Sequence, residues 1–371
     1  MKKILFSMLP LIILAACQDA PANTDEADVP FDEIAANLET PWSINKTGEA
    51  FYISERPGTI AHIDEEGTLT RQAVDFSDPL SSAAEAGFLG FALSPDFEDS
   101  KEVYGYYVYE QDGDSYNKIV QLKLEGDAWS ETAILLEDIP TGNVHHGGRL
   151  EFDEDGTLFA TIGDASDPDL AQDPDAVNGK ILKLNESGVF ETYTLGHRNP
   201  QGIAWHDGDM FAAEHGQSAN DEINQIEEGK NYGWPLIEGM ETESGLEIPL
   251  FTTGDDETWA PSGITAHNGL LYIAALRGTA IKILDLETRT NWLIPSKALA
   301  AYAMYFQMVK PFISLRTIRT AAELRQKVMI NFTSCLHDQN LQNKKSGPID
   351  FFIVESTLFP YKNFIMRSSS I

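Results

Sequence analysis

The chain has 371 residues, with 26 Lys and Arg against 58 Asp and Glu, for a net charge of −32. That acidity excludes nucleic acid as a partner, because a phosphate backbone would be repelled. The only cysteines are Cys17 and Cys335, so if one is modified no disulfide can form and the fold must stand on its core.

Lys2 and Lys3 precede an apolar run from Ile4 to Ala16, which is too short to span a bilayer and reads as a signal peptide over residues 1–16. Leu14-Ala15-Ala16-Cys17 resembles a bacterial lipoprotein cleavage box. Cys17 is then the lipidated N-terminus, and a lipid anchor is the only membrane contact. A secretory signal with an incidental cysteine is the alternative, and both readings export the protein. Residues 18–30 (QDAPANTDEADVP) are acidic and rich in Pro and Ala, which suits a flexible tether.

From residue 31 the pattern becomes repetitive. Ala50–Ile53, Val103–Tyr106, Leu158–Thr161, Met210–Ala213 and Leu271–Ala274 are short apolar-aromatic runs that read as strands. Their aromatics Tyr52, Tyr104, Phe159, Phe211 and Tyr272 are spaced 52, 55, 52 and 61 residues apart. That interval fits a blade of four strands, so residues 31–290 predict an all-β propeller with five recognisable blades. Chance spacing of strands in a β-sandwich is the competing reading.

Three polar clusters interrupt the strands. Asn143 to Leu150 (NVHHGGRL) is followed by Thr161-Ile162-Gly163-Asp164, which sets a carboxylate one hairpin from a histidine it can orient. His145 and His146 are neighbours on a strand and point to opposite faces, which argues against joint metal ligation. Gly196 to Gly202 (GHRNPQG) places Arg198, Asn199 and Gln201 on one glycine-bracketed turn, a donor set suited to a planar, anionic, oxygen-rich ligand. In the third cluster, Gly216 permits close approach of main-chain oxygens to a ligand or a hard cation, while Asp221 and Glu222 read as turn anchors. Trp259 adds an aromatic face and Arg277 another cation.

Composition changes after Thr290. From Asn291 onward there are ten Lys and Arg, four Asp and Glu, and one glycine, Gly347, whereas the first 290 residues hold 27 glycines. The repeat predicts a sixth strand near residue 327, where Lys327–Phe332 stands without an Asp-Gly turn. Residues 291–371 therefore read as a tail of foreign composition, as a frameshift or fusion would give. A C-terminal extension, with helical composition from Ala298 to Met329, is the alternative.

Pro41-Trp42-Ser43, Gly87–Phe91 with Pro95-Asp96-Phe97, His145–Leu150, Gly196–Gly202, Asp221–Asn224 and Asn231–Pro235 occur in an order that resembles the soluble PQQ-dependent glucose/aldose sugar dehydrogenases. The resemblance covers about Asn37 to Leu286 and implies a six-bladed propeller. It implies that His145 takes the proton from the C1 hydroxyl of an aldose while Asp164 holds its imidazole, with hydride passing to the C5 carbonyl of PQQ. It further implies that Arg198 stabilises the quinone oxygen, Asn199 and Gln201 position the cofactor, and Gly216 and Gln217 give main-chain oxygens to calcium. Trp259 is implied to cover the PQQ ring and Arg277 to fill a cationic position. The electron acceptor is unspecified.

Three departures stand out. Gln217 replaces a proline that usually follows the glycine, and Glu85 replaces a glutamine found near the sugar in some members. Nothing after Thr290 matches the last blade's Arg-x-Arg-Asp segment, since Arg316 and Arg319 lack that context. The sequence thus predicts a propeller that lacks its last blade, with two sheet faces exposed and weak or absent activity. A calcium-dependent lactone hydrolase and a non-catalytic binding propeller are the rival functions.

Overall fold

A computed structural model describes residues 31–294 and 366–368. The signal peptide, Cys17, the tether, and the tail from 295 to 365 and from 369 to 371 lie outside the described residues.

Each predicted aromatic run is the second strand of a four-stranded antiparallel blade. Blade one is Pro41–Thr47, Ala50–Glu55, Thr59–Ile63 and Leu69–Asp75, and blade two is Phe88–Leu93, Glu102–Gln111, Asp114–Glu125 and Ala128–Pro140. Blade three is Gly147–Phe152, Leu158–Ile162, Lys180–Leu184 and Phe190–Leu195. Blade four is Pro200–His206, Asp209–Glu214, Glu222–Ile226 and Phe251–Thr252. Blade five is Pro261–His267, Leu270–Ala275, Ala280–Asp285 and Asn291–Ile294. The fold is that of the propeller the period predicts. The last strand of blade five pairs Ile281 with Ile294 and Leu284 with Asn291, so it runs four residues past the compositional break at Thr290.

The β period places alternate side chains on the two faces of each blade, and successive blades bury them against each other. Phe88, Tyr107 and Trp129 pack with Ile60 between blades one and two. Leu89, Tyr106, Leu150 and Ile162 pack between two and three, Phe159, Ile181, Ile203 and Met210 between three and four, and Ala213, Ile264, Leu271 and Trp259 between four and five. Blades one and two also join at their outer edges, where Ala73–Asp75 pairs in parallel with Ala128–Ser130 and Trp129 Nε1 donates to Gln72 Oε1 at 2.8 Å.

Among the described residues no such core joins blade five to blade one. Ile44, Phe51, Ile53 and Ile63 of blade one and Tyr272, Ile281 and Ile283 of blade five are all at most 4% accessible. These residues belong to none of the four inter-blade cores formed by the described residues. Elsewhere the chain pairs Phe31–Glu33 antiparallel with Met366–Ser368.

Candidate active site

In every blade the first two strands are antiparallel, so the start of the first lies beside the end of the second. The pairs Gly147↔Ile162, Pro200↔Glu214 and Pro261↔Ala275 set this register in blades three to five. Residues just before the inner strand and just after the second therefore meet at one rim. His145 with Asp164, Arg198 and Asn199 with His215 and Gly216, and Ala260 with Arg277 all stand there.

His145 Nδ1 lies 2.8 Å from Asp164 Oδ1. A carboxylate accepts, so the facing nitrogen carries the proton and Nε2 presents its lone pair. The ring is partly open, with its side chain 17% accessible against 1% for Asp164. Three further bonds fix Asp164: Oδ1 accepts the Ser166 N–H, Oδ2 accepts Trp234 Nε1 at 2.9 Å, and its own N–H donates to the Arg198 carbonyl. The backbone at His145 is left-handed, φ 65°, an uncommon conformation for a bulky residue. A Cβ on Gly163 would meet the His145 carbonyl at 1.9 Å, so only glycine lets the two turns approach. The His145 N–H donates to Glu85 Oε2 at 3.2 Å.

His146 turns away, although neither histidine lies on a strand as expected: the strand starts at Gly147, and the left-handed turn at His145 separates the two rings. It pairs with Thr141 Oγ1 at 2.8 Å, and burial pushes its pKa down to about 4, aided by Arg56 and His145. Among the described residues it shares no side-chain partner with its neighbour. Among the described residues no three His, Cys, Asp or Glu side chains are grouped to hold a metal.

The turn at Gly196–Gly202 is organised by groups beneath it. His197 is fully buried, bonded to Thr194 Oγ1 at 2.8 Å and Glu214 Oε1 at 2.9 Å, and stacked on Tyr232. Glu214 Oε2 accepts the Arg198 N–H. Arg198 Nη1 donates to the His215 carbonyl at 3.2 Å and its guanidinium lies 5.3 Å from the Trp234 ring. Burial lowers the Arg198 pKa, opposed by the carboxylates of Asp164, Glu238, Glu214 and Asp221. Asn199 accepts the Gly147 N–H on Oδ1 at 3.1 Å. Gln201 is buried, and its main-chain carbonyl accepts Arg149. Among the described residues Arg198 Nε and Asn199 Nδ2 are buried donors without a partner. Unspent donors beside an open imidazole are what an anionic, carbonyl-rich ligand would satisfy, so the residues fit PQQ.

Gly216 and Gln217 follow in the next turn. The Gly216 N–H donates to Asp221 Oδ1 and that of Gln217 to Glu238 Oε1. Among the described residues neither carbonyl accepts a hydrogen bond, a donor set that fits a hard cation. Asp221 is the turn anchor the sequence predicts: its Oδ2 accepts Thr258 Oγ1 and the N–H groups of Trp259 and Ala260.

Trp259 departs from its expected role. It is 2% accessible, stacks on Phe251 at 5.0 Å, receives Lys282 at 4.8 Å and donates Nε1 to Glu257. Core packing between blades four and five takes its ring, so it does not cover a ligand. Arg277 is exposed at the same rim, outside the hydrogen-bond chain that runs from His145 to Gly216. Sequence reasoning gave no role to His197, Glu214, His215 or Trp234. Their signal lay in the quoted motifs, but partners 17 to 70 positions away along the chain were invisible.

The model of the glucose/sorbosone dehydrogenase family matches residues 38–300. An aldose sugar dehydrogenase of Escherichia coli K12 is 30% identical over 275 residues, covering 66% of this chain and 71% of the relative. Quinoprotein glucose dehydrogenase B of Acinetobacter calcoaceticus is 28% identical over 309 residues, covering 68% of this chain and 63% of the relative. The solved PQQ-bound aldose sugar dehydrogenase of Streptomyces coelicolor is 33% identical, covers 70% of this chain and 83% of its own, and superposes with a TM-score of 0.64. The chain belongs to the glucose/sorbosone dehydrogenase family.

Proposed function

We propose that this chain is an exported, PQQ- and calcium-dependent dehydrogenase that oxidises the C1 hydroxyl of aldose sugars to lactones. The observation that carries the reading is the His145–Asp164 pair, 2.8 Å apart, at the same rim as the unspent donors of Arg198 and Asn199.

His145 Nε2 takes the proton from the C1 hydroxyl, and Asp164 stabilises the imidazolium through Nδ1–H. Arg198 and Asn199 direct their free N–H groups at developing negative charge, and the partial burial of this pocket strengthens them. The carbonyl oxygens of Gly216 and Gln217 hold the cation, and Glu85, beside the His145 backbone, borders the sugar. When bound, PQQ supplies the electrophilic carbonyl that accepts the hydride, and calcium polarises it. Arg277 gives a cation at the rim for a cofactor carboxylate.

Dye reduction by the full chain with added PQQ, calcium and glucose tests the reading. Turnover is expected, and His145→Ala should lower it by about a hundredfold or more. Equal turnover in the two proteins would refute the assignment, and lactone hydrolysis without quinone reduction would favour the hydrolase. The lipid anchor at Cys17 is tested by fractionation: Cys17→Ser should move the protein from the membrane to the soluble fraction.

A further inference from the structure

Trp234 touches both halves of the site. Its indole Nε1 donates to Asp164 Oδ2 at 2.9 Å, and its ring lies 5.3 Å from the Arg198 guanidinium. We propose that Trp234 is a positioning residue for the sugar-oxidising reaction, pinning the Asp164 carboxylate so that His145 presents Nε2 and holding Arg198 beside it. The identity of the reaction rests on the function proposed above; the geometry does not.

The carboxylate needs such a pin. Its torsion is broad and roughly two-fold rather than sharply staggered. Oδ1 carries both the His145 ring and the Ser166 N–H, while Oδ2 has Trp234 as its partner. With the second oxygen released, the carboxyl plane can turn and the imidazole with it. The same ring offers its face to the Arg198 cation, an interaction strengthened by partial burial.

Trp234 is itself held firmly. Its N–H donates to the Gly196 carbonyl at 3.0 Å, and its carbonyl accepts Gln172 Nε2 at 2.7 Å. Gln172 and Asn231 exchange amide bonds of 3.1 and 2.7 Å. Gly233 turns the chain at φ 88°, where a Cβ would strike Ile237 at 2.2 Å. The Asn231–Pro235 segment is thus a strut from the Gly196 turn to the carboxylate that serves His145.

Trp234→Phe keeps an aromatic face and removes the N–H; Trp234→Ala removes both. Losing one hydrogen bond to a charged group should cut kcat by roughly tenfold to a hundredfold, with the KM for sugar near wild type and the melting temperature lowered by the unpaired buried oxygen. The alanine variant should in addition retain PQQ less tightly in equilibrium titration. A readout independent of turnover is the downfield imidazole N–H proton of His145 in the cofactor-free protein, assigned by its loss in His145→Ala. That resonance should shift or broaden in Trp234→Phe. An unmoved resonance overturns the proposal whatever the rate does. If the phenylalanine variant folds poorly, Gln172→Ala loosens Trp234 from a distance, and an unmoved resonance there is equally contrary. A wild-type chain that fails to oxidise aldoses sinks the functional reading alone, since the resonance still decides the role of Trp234.

Discussion

Arg149 on the inner strand of blade three donates through Nη1 to Ser43 Oγ on the inner strand of blade one, 2.9 Å away. Its Nε reaches the Gln201 carbonyl of blade four at 2.8 Å, and its guanidinium lies 4.1 Å from the Trp42 ring. One buried cation thus ties three blades together near the axis. Burial pushes its pKa down to about 9, so its retention reflects those bonds rather than cheap solvation. Arg149→Ala should cost about 3 kcal/mol by leaving a cavity and unpaired buried acceptors. Arg149→Lys should recover part of this, since an ammonium lacks the fork that serves two acceptors. Thermal unfolding of the three proteins checks the order; a melting temperature for the alanine variant equal to wild type would contradict it.

Gly216 is the tightest point of the proposed cation turn. A Cβ there would stand 1.9 Å from the Ala219 carbonyl and 2.7 Å from Asn220 backbone atoms, so the turn must move to admit alanine. Gly216→Ala should cost about 1–3 kcal/mol through this overpacking. If the proposed calcium site exists, calcium should raise the melting temperature of the wild type and not that of Gly216→Ala, because a cation bound only by the folded form stabilises it. A calcium-dependent rise that survives in Gly216→Ala would remove these carbonyls from the cation site.

Glu222 lies directly opposite Glu214 on the neighbouring strand, with Asn224 Nδ2 bridging both. Burial first, and the charge of Glu214 second, raise the Glu222 pKa from 4.5 to about 8. The folded chain therefore binds this proton more tightly than the unfolded chain, and stability falls as pH rises through that window. Glu222→Gln should melt at or below wild type at pH 5 and gain on it steadily towards pH 9. A difference that stays constant with pH would show that Glu222 ionises normally in the fold.

The blade repeat was legible because a second strand buried on both faces needs an aromatic or large apolar side chain, and Tyr52, Phe159, Phe211 and Tyr272 mark it at nearly even intervals. That His145, Asp164, Arg198 and Asn199 meet at one rim was legible because their glycine-bracketed turns fall at corresponding strand ends. What was not legible depends on distant pairing. Trp259 looked like a free aromatic face until Phe251 and Lys282 claimed it. Trp234 looked like part of a motif until Asp164, 70 positions away, accepted its N–H. The parallel edge pairing of Ala73 with Ala128 follows from the long outer strands of blade two, whose reach no local pattern records.

The compositional break makes a genetic prediction. If the tail arose by frameshift, another reading frame downstream of codon 290 should encode an Arg-x-Arg-Asp segment followed by an Asp-Gly strand. Sequencing through that region decides it, and stop codons in both alternative frames would leave the tail as this chain's own.

The central claim is tested most directly by reconstituting the full chain with PQQ and calcium and mixing it anaerobically with glucose without an acceptor. The bound quinone absorbance should bleach with one equivalent of lactone formed per cofactor in the wild type and stay unchanged in His145→Ala. Bleaching at equal rates in both, or no quinone bound to the wild type, would contradict the account.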